Sequence, residues 1–191
     1  METIPVFAQS FASQFLIAMP HLEGLSFSRS LVYLCDHDDA GVMGLVVNKP
    51  SSLTLSELFE QLDITCENPS VLDIPVLSGG PVQPEAGLVL HENKGNWDAT
   101  QQIGESLYLT GSVDILQAIA ANRGPELFLV MRGYAGWGDG QLEQEINENS
   151  WLITESTRDL LFDCPYYARW ENAAKSLGVD INLLSREAGH A

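Results

Sequence analysis

Apolar positions along the chain fall into short runs of strand length and into segments with helical spacing. The short runs are bounded by Gly, Pro, Asn and Asp and predict β-strands at 15–18, 31–35, 42–48, 76–77, 88–91, 107–110, 127–131 and 151–154. The stretches 31–34 and 45–47 are almost wholly apolar, which is typical of strands covered on both faces. We therefore expect the hairpin that they form, through the turn 36–41, to lie at the centre of a sheet.

Helical spacing marks four further segments. The first starts at a capping box, since Thr54 is followed three residues later by Glu57, and its apolar positions repeat at i, i+3, i+4 and i+7. A second follows Ser112 as its N-cap and ends before the Gly-Pro pair at 124–125. Two more are predicted, a short helix around 142–146 and a last one over 166–177.

These strands and helices follow one another irregularly, and several neighbouring strands are joined by short turns. That order is typical of an α+β fold rather than of a doubly wound parallel sheet. The chain has 191 residues, close to the length of one domain, and it shows no repeat, low-complexity segment or linker. We therefore predict a single domain over residues 1–191.

The charge balance argues against one broad class of function. The chain carries 26 Asp and Glu against 9 Lys and Arg, which gives a formal net charge of −17 and a pI near 4.3. Proteins that coat nucleic acids or anionic membranes gain affinity by releasing counterions, and that requires clustered Lys and Arg. We therefore expect neither direct nucleic-acid binding nor a membrane partner.

Cysteine usage and the N-terminal stretch bear on the compartment. Cys35, Cys66 and Cys164 are widely spaced and form no C-x-x-C pair, so a reducing cytosol is the simpler interpretation. The charge-free stretch 3–22 lacks a preceding basic region and contains several polar residues, which does not fit a signal peptide or a spanning helix. We expect a soluble, cytoplasmic protein.

The most unusual segment is 132–148, where four glycines surround two aromatic residues between a predicted strand and a predicted helix. A Gly-rich turn from strand to helix is a common way to aim backbone N–H groups at a phosphate or another anion. The dinucleotide fingerprint that would start at Gly136 fails because position 141 is Gln141, and several acids stand near the helix start. We favour a structural turn, with a ligand-binding loop as the alternative.

Two of the few basic residues, Lys49 and Arg132, stand at the ends of predicted strands. Strand ends are places where folds expose binding groups, so these two side chains could together clamp a carboxylate or a phosphate. In so acidic a chain, the interpretation we favour is that each neutralises nearby carboxylates, Glu143 or Glu145 among them.

No pattern in the sequence selects a reaction or a metal. Cys35, His37 and Asp39 alternate as ligands on one side of a strand would, but they stand in an Asp-rich turn and no second motif completes a site. No G-x-S-x-G nucleophile motif is present. His91, at a strand end, suits a general base, although a hydrogen-bonded structural histidine is the commoner case. We expect no metal and no cofactor.

Five sequence blocks carry a family resemblance. They are FLIAMP at 15–20, GLVVNKP at 44–50, GGPV at 79–82, LH at 90–91 and YAGWGDGQLEQE at 134–145, the last followed by Trp151. With these blocks the chain resembles the AlgH/YqgE family of bacterial proteins over essentially its whole length. The resemblance implies an α+β domain in which a mixed, bifurcated β-sheet is folded into a pseudo-barrel with flanking helices.

The family has no established biochemical activity, and one branch of it is described as a regulator of transcription. The resemblance places ten candidate ligand-binding residues in family motifs without an agreed role: Asn48, Lys49, Gly79, Gly80, His91, Gly136, Trp137, Gly138, Gln141 and Glu145. Arg132 joins them because of its place at a strand end.

We favour a non-enzymatic regulatory protein that binds a small anionic molecule or a protein partner, with an indirect effect on transcription. The first alternative is a hydrolase or transferase acting on a small anionic substrate, with His91, Lys49 or Glu145 supplying the chemistry. The second is an adaptor whose acidic surface binds a basic protein.

Overall fold

The computed structural model describes residues 10–22 and 26–184. The strands in those residues are β1 (Gln14–Ala18), β2 (Leu31–Asp38), β3 (Gly41–Val46), β4 (Pro50–Thr54), β5 (Pro75–Ser78), β6 (Val82–Glu92), β7 (Thr100–Gln102), β8 (Leu107–Thr110), β9 (Phe128–Gly138) and β10 (Trp151–Glu155). The α-helices are α1 (Leu55–Gln61), α2 (Val113–Ala120), α3 (Gln141–Asn147) and α4 (Tyr166–Ser176). Of the charge-free stretch 3–22, the part up to residue 9 lies outside the described residues.

The strands form one curled, mostly antiparallel sheet in the order β10-β1-β2-β3-β9-β6-β8-β7, and β4 and β5 form a side branch on β9. The curl brings the β1–β2 side of the sheet close to the β7 end. Ser13, just before β1, and Tyr33 of β2 both donate a hydroxyl proton to the carbonyl of Ile103, just after β7, at 3.1 and 3.3 Å. Gly104 also lies against Tyr33, since a Cβ atom there would be 2.8 Å from the tyrosine hydroxyl. The fold is an α+β half-barrel with flanking helices, as expected.

The sheet divides at β9. The first part of β9 pairs in parallel with β5, where Ser78 stands opposite Arg132. Its last part pairs antiparallel with β3, where Met43 stands opposite Gly136. The other edge of β9 pairs with β6. Along one edge, β9 thus pairs first with β5 and then with β3. This is the bifurcation of the sheet that the family resemblance implies.

Gly79 and Gly80 occupy the fork between β5 and β3. The N–H of Gly79 donates to the Arg132 carbonyl at 2.8 Å, and the Gly79 carbonyl accepts from the N–H of Val46 at 2.8 Å. The φ of Gly80 is +153°, and a Cβ atom on this residue would lie 2.1 Å from the carbonyl carbon of Tyr134. Only glycine tolerates both conditions, so the fork itself requires this residue type.

Three clusters of buried side chains hold the elements together. The largest joins side chains from strands along the whole order to Trp170 of α4. A second packs α1 and α2 onto β5, β6 and β9 through residues such as Phe59 and Ile115. The third surrounds Trp137 and Trp151 and includes Leu142 of α3. Because neighbouring side chains on a strand point to opposite faces, β1, β2 and β3 contribute both to the largest cluster and to the one around the two tryptophans.

β9 differs most from the sequence-based expectation. The predicted strand ends at residue 131, but the strand continues through the Gly-rich segment to Gly138, and only Asp139 and Gly140 form the turn into α3. Gly136 and Gly138 remain in the strand because β3 pairs with residues 135–138, while β6 pairs with β9 as far as Tyr134. The prediction that this whole segment is a turn is therefore wrong.

Two strands and one helix cap also differ from the prediction. β4 and β7 are short and mostly polar, so no apolar pattern indicates them. Ser112 is the N-cap residue of α2, as predicted, but its hydroxyl shares its one proton between the Asp98 carbonyl and the Asp114 carboxylate and accepts no N–H of the helix. The capping box of Thr54 and Glu57 at α1 is confirmed.

Candidate functional site

The most specific sequence block forms a hydrogen-bonded clamp around one carboxylate. Oε2 of Glu145 accepts from the indole N–H of Trp137 at 2.9 Å and from that of Trp151 at 2.8 Å. Oε1 accepts from the amide of Gln141 at 3.0 Å, and Gln141 in turn accepts from the N–H of Gly138 at 3.0 Å. Both carboxylate oxygens of Glu145 therefore have partners within the protein. We refer to Trp137, Gln141, Glu145 and Trp151 as the tryptophan clamp.

The tryptophan clamp ties α3 to two strands. Trp137 lies near the end of β9, Trp151 begins β10, and both side chains are buried. Their rings meet edge to face, with 5.8 Å between centroids and an interplanar angle of 81°. Phe27 contacts both rings. These contacts give the motif a structural role, because they hold α3 against β9 and β10. A ligand-binding role for its residues stays a prediction.

The two Gly-rich segments meet through backbone packing. A Cβ atom on Gly79 would lie 2.3 Å from the carbonyl oxygen of Gly133, and Gly80 is equally close to Tyr134. Gly136 lies three residues further along β9, where a Cβ atom would be 3.8 Å from the Tyr134 ring. The backbones of the two segments are in such close contact that no ligand fits between them.

Asn48 and Lys49 hold the segment that precedes β2. The side chain of Asn48 accepts from the N–H of Leu31 at 2.8 Å and donates to the carbonyl of Arg29 at 2.8 Å. The ammonium group of Lys49 donates to the carbonyl of Ser26 at 3.1 Å, and partial burial lowers the pKa of Lys49. Both side chains thus bind main-chain groups of the same loop.

Lys49 and Arg132 do not share a partner. Ser78 stands between their backbones, because its N–H donates to the Lys49 carbonyl at 2.8 Å while the residue pairs with Arg132. The Arg132 guanidinium forms an ion pair with Glu85, rather than with the expected Glu143 or Glu145. Of the two predicted anion-binding side chains, Arg132 is paired with a carboxylate and Lys49 with a main-chain carbonyl. A carboxylate ligand could therefore take the place of the present partner at Arg132 but not at Lys49.

His91 is fully buried, and both of its ring nitrogens have partners. Nδ1 lies 3.0 Å from the carbonyl oxygen of Asn93 and 3.2 Å from that of Glu92, so this nitrogen carries the proton, because carbonyl oxygens only accept. Nε2 then accepts from the hydroxyl of Thr110 at 2.8 Å. Trp97 covers the ring edge to face, with 5.1 Å between centroids. Burial lowers the pKa of His91, so the neutral ring is the favoured form.

We expect acidification to destabilise the protein in part through His91. Its pKa in the folded protein is below the ordinary value of about 6.5, so its contribution to stability is complete above about pH 6.5 and is lost as the pH falls. The fall in melting temperature from about pH 7.5 to about pH 5.5 should therefore be smaller in His91→Gln than in the wild type. Equal falls in the two proteins would contradict this role.

The alternating residues Cys35, His37 and Asp39 do not converge. Cys35 belongs to the largest core cluster, and burial raises the pKa of its thiol. The ring of His37 stacks on Phe11, and its Nε2 lies 3.2 Å from a carboxylate oxygen of Glu143. Within residues 10–22 and 26–184, no group of three or more His, Cys, Asp or Glu side chains is arranged to hold a metal ion.

One groove combines an apolar lining with a charged end. It has a volume of about 210 Å³ and lies between α1 and α2, over β6 and β9. Leu58 of α1 and its C-cap residue Leu62 line one side, Val113 and Leu116 of α2 line the other, and Arg132 lies at the polar end. Leu62 and Val113 are 39% and 47% exposed, so apolar surface continues from the groove to the outside. We call this feature the α1–α2 groove.

Arg132 is accessible from the α1–α2 groove. Its neighbours on the adjoining strands are Ser78 and Gly87, so no large side chain lies beside it. A Cβ atom on Gly87 would have no heavy atom within 4 Å among the described residues. Glu85, the ion-pair partner of Arg132, has an 87% exposed side chain. Exposed ion pairs contribute little to stability, so Glu85 is a weakly held partner that another carboxylate can replace.

Comparison with known proteins gives the family of this chain. The family model described as AlgH-like matches residues 15–182, which is nearly the whole chain. The chain belongs to the AlgH-like family. A UPF0301 protein of Thioalkalivibrio sulfidiphilus is 48% identical over 184 residues, 96% of this chain and 98% of the relative. Another, of Saccharophagus degradans, is 50% identical over 182 residues, 95% of this chain and 89% of the relative.

Solved structures agree with the fold of this AlgH-like protein. The solution structure of the AlgH protein from Pseudomonas aeruginosa is similar over 100% of both chains, with 41% sequence identity and a TM-score of 0.78. A crystal structure of a Corynebacterium diphtheriae protein matches 96% of this chain and 93% of its own, with a TM-score of 0.72 at 17% identity, and shows the fold alone. None of the helices described here is long and apolar enough to cross a bilayer.

The α1–α2 groove of this AlgH-like protein includes residues that the sequence analysis missed. They are Glu85 and Gly87 on β6, and Leu62 and Val113 on the two helices. Gly87 carries a signal, since an isolated glycine beside an apolar strand often marks an opening or a close approach. The others carry none, because exposed apolar residues and single surface acids are common in any chain.

Proposed function

We propose that this AlgH-like protein is a cytosolic, non-enzymatic binding protein whose α1–α2 groove takes a small carboxylate with an apolar tail. Regulation, transcription included, then depends on the bound ligand and not on direct contact with DNA. The observation that carries the proposal is the position of Arg132, a cation with a weakly held partner, at the end of an apolar groove.

The lining of the groove selects the tail of the ligand. Leucine and valine side chains from both helices lie over Val89 and Val130 of the sheet. The hydroxyls of Thr110 and Ser112 also line the groove, but both are already hydrogen-bonded within the protein. A polar tail would therefore lose bonds to water with little replacement. An alkyl tail instead gains about 0.8 kcal/mol for each methylene that it buries.

The charged end selects the head group. A carboxylate can accept two parallel hydrogen bonds from one guanidinium, which makes arginine well suited to this ligand. The ligand would displace the exposed side chain of Glu85 from Arg132 and so would not leave a buried charge without a partner. On a chain with a net charge of −17, few other positions attract an anion.

The size of the groove limits the ligand further. Its volume of about 210 Å³ is below the range of roughly 300–1,000 Å³ that accepts drug-sized molecules. A nucleotide or coenzyme does not fit that description, whereas a short alkyl chain does. We therefore favour a medium-chain carboxylate.

The hydrolase or transferase alternative requires a chemical group that reaches the substrate. His91, the predicted general base, is hydrogen-bonded to the hydroxyl of Thr110, and both residues are completely buried. Glu145 is occupied by two indoles, and the Lys49 ammonium is bonded to a main-chain carbonyl. This arrangement supports binding rather than catalysis.

We expect octanoate to bind the purified protein and Arg132→Gln to weaken that binding by about 10- to 100-fold, as for the loss of a charged hydrogen bond of roughly 1.5–3 kcal/mol. Isothermal titration calorimetry measures the affinity, and amide chemical shifts locate the ligand. Shortening the chain to hexanoate should cost roughly fourfold per methylene.

The matched control is Arg158→Gln, because Arg158 is also a half-exposed arginine in ion pairs, with Glu92 and Asp163, and lies outside the groove. Its affinity for octanoate should equal that of the wild type. Octylamine, with the same tail and the opposite charge, should not bind the groove. If Arg132→Gln binds octanoate as well as the wild type does, the proposal fails.

A further inference from the structure

The edge strand β10 presents unpaired backbone groups beside an acidic cavity. We propose that this edge binds an extended, basic segment of a partner protein, which adds to the sheet as one more strand. The proposal goes beyond the ligand in the α1–α2 groove and concerns a separate surface. It rests on the strand register, on the groove beside β10 and on the charges at one end of it.

The register shows which backbone groups of β10 point outward. Among the described strands β10 pairs with β1 alone, with Ile17 opposite Leu152 and Leu16 opposite Ile153. The N–H of Met19 donates to the carbonyl of Ser150 at 3.0 Å, on the β10 side of β1. Bonding alternates along an antiparallel pair, so Leu152 and Thr154 bond to β1.

The residues between these positions have the opposite orientation. The N–H and C=O groups of Trp151, Ile153 and Glu155 therefore point away from β1, and no backbone group of residues 10–22 or 26–184 pairs with them. Proteins commonly protect such an edge with lysine or proline, and β10 contains neither. Trp151 is 3% exposed, so the accessible outward groups are the four main-chain groups of Ile153 and Glu155, at the spacing that a partner strand needs.

A groove accompanies this edge. It has a volume of about 490 Å³ and is lined by Ile153 and Thr154 of β10 and by Ser176 and Leu177 at the end of α4, among others. The side chain of Leu177 is 42% exposed. A free strand edge with a helix beside it is the arrangement that other proteins use to bind extended peptides, where side-chain pockets supply the selectivity.

The charge at the end of the edge selects a basic occupant. A second cavity, of about 450 Å³, shares Gln14, Glu155 and Thr157 with the groove and also contains the carboxylates of Glu92 and Glu105. The cation in its lining, Arg158, is already paired with Glu92 and with Asp163 outside it. A lysine or arginine of the partner would find carboxylates here and little competition from other cations.

The acidic residues Glu105 and Glu155 line this end of the edge, and Glu155 is shared by both spaces. A second copy of this chain fits less well, because it brings another net charge of −17 to the acidic end.

The probe for this surface is the peptide acetyl-Lys-Val-Lys-Val-Lys-Val-amide, added to the full chain. We expect the amide signals of Ile153 and Glu155 to shift and their hydrogen exchange to slow, while Leu152 and Thr154 change little because β1 already protects them. The same peptide with Glu in place of Lys should not bind. Binding should weaken as salt is added.

Two variants test the two parts of the proposal. Ile153→Pro removes an outward N–H that β1 does not use, and it should abolish binding of the Lys-Val peptide. The double variant Glu105→Gln with Glu155→Gln should weaken binding by roughly 2- to 25-fold, the product of two exposed ion pairs. Glu126→Gln, an exposed acid outside this region, should have no effect.

The proposal is overturned if the Lys-Val peptide shifts signals elsewhere but not at Ile153 and Glu155, if the acidic peptide binds equally well, or if no peptide binds. If Ile153→Pro fails to fold, the hydrogen-exchange pattern of the wild type with the Lys-Val peptide and the affinity of the double glutamate variant decide whether the proposal holds. Arg132→Gln should bind the Lys-Val peptide normally, and Ile153→Pro should bind octanoate normally. Failure of one proposal is therefore distinguishable from failure of the other.

Discussion

Gly80→Ala should lower the melting temperature by roughly 4–24 °C, the largest effect we expect from a single methyl group in this protein. The new Cβ atom would lie 2.1–2.4 Å from three backbone atoms of Tyr134 and Ala135, and the residue would keep a φ of +153°. Backbone strain costs of order 1–3 kcal/mol and overpacking another 1–3 kcal/mol. One kcal/mol corresponds to about 2–4 °C in a chain of this length.

The surroundings of Gly80 cannot move to relieve the clash. β9 is held there by β3 on one side and by β6 on the other, so a shift would break pairs on both sides. Thermal unfolding followed by circular dichroism measures the effect. The matched control is Gly87→Ala, at a glycine whose Cβ atom would meet nothing within 4 Å, and we expect its melting temperature to stay within about 3 °C of the wild type. Equal melting temperatures for the two variants would contradict this account of the fork.

Glu145→Ala should lower the melting temperature by roughly 5–15 °C. The change leaves the indole N–H groups of Trp137 and Trp151 without an acceptor, and both side chains are about 95% buried or more. Each unsatisfied buried donor costs about 1–3 kcal/mol. Glu145→Gln retains one carbonyl oxygen and should recover part of the loss.

A control variant shows whether the lower melting temperature comes from the lost hydrogen bonds of the tryptophan clamp or from the loss of one negative charge. Glu148→Ala removes another acid at the end of α3, whose carboxylate accepts only from the side chain of Gln144 among the described residues. Its melting temperature should stay within about 2 °C of that of the wild type. Tryptophan fluorescence should change in Glu145→Ala before unfolding, because the indole environment changes. A Glu145→Ala protein as stable as the wild type would mean that water replaces the carboxylate and that the clamp does not fasten the fold.

Most of the secondary structure follows from local pattern, and the exceptions have a common cause. The capping box at Thr54 and the apolar strands around 31–35 and 42–48 are local signals, and the corresponding elements are present. The Gly-rich end of β9 carries no strand signal, since glycine is unfavourable in strands. It is a strand because β3 pairs with residues 135–138 and β6 pairs with Tyr134, and both partners are distant in sequence.

The candidate site shows the same division. The residues of the most specific motif could be selected from the sequence, but their contacts could not, because Glu145 meets Trp151 only when α3 folds back between β9 and β10. Arg132 could be selected as a rare cation at a strand end. That it stands alone at an apolar groove, apart from Lys49, depends on Gly87, Glu85 and two helices brought together from separate parts of the chain.

The sequence by itself determined the fold class, the acidic character that argues against direct nucleic-acid binding, and the family to which the chain belongs. These depend on composition, on local periodicity and on motifs that are continuous in the chain. Only the tertiary structure decided that Gly79 and Gly80 fill a fork, that the tryptophan motif fastens the fold and that β10 has an open edge. Those properties arise from contacts between segments that are distant in sequence. Which strands pair and which residues pack closely depends on where the other strands lie, and no local pattern in the sequence records that.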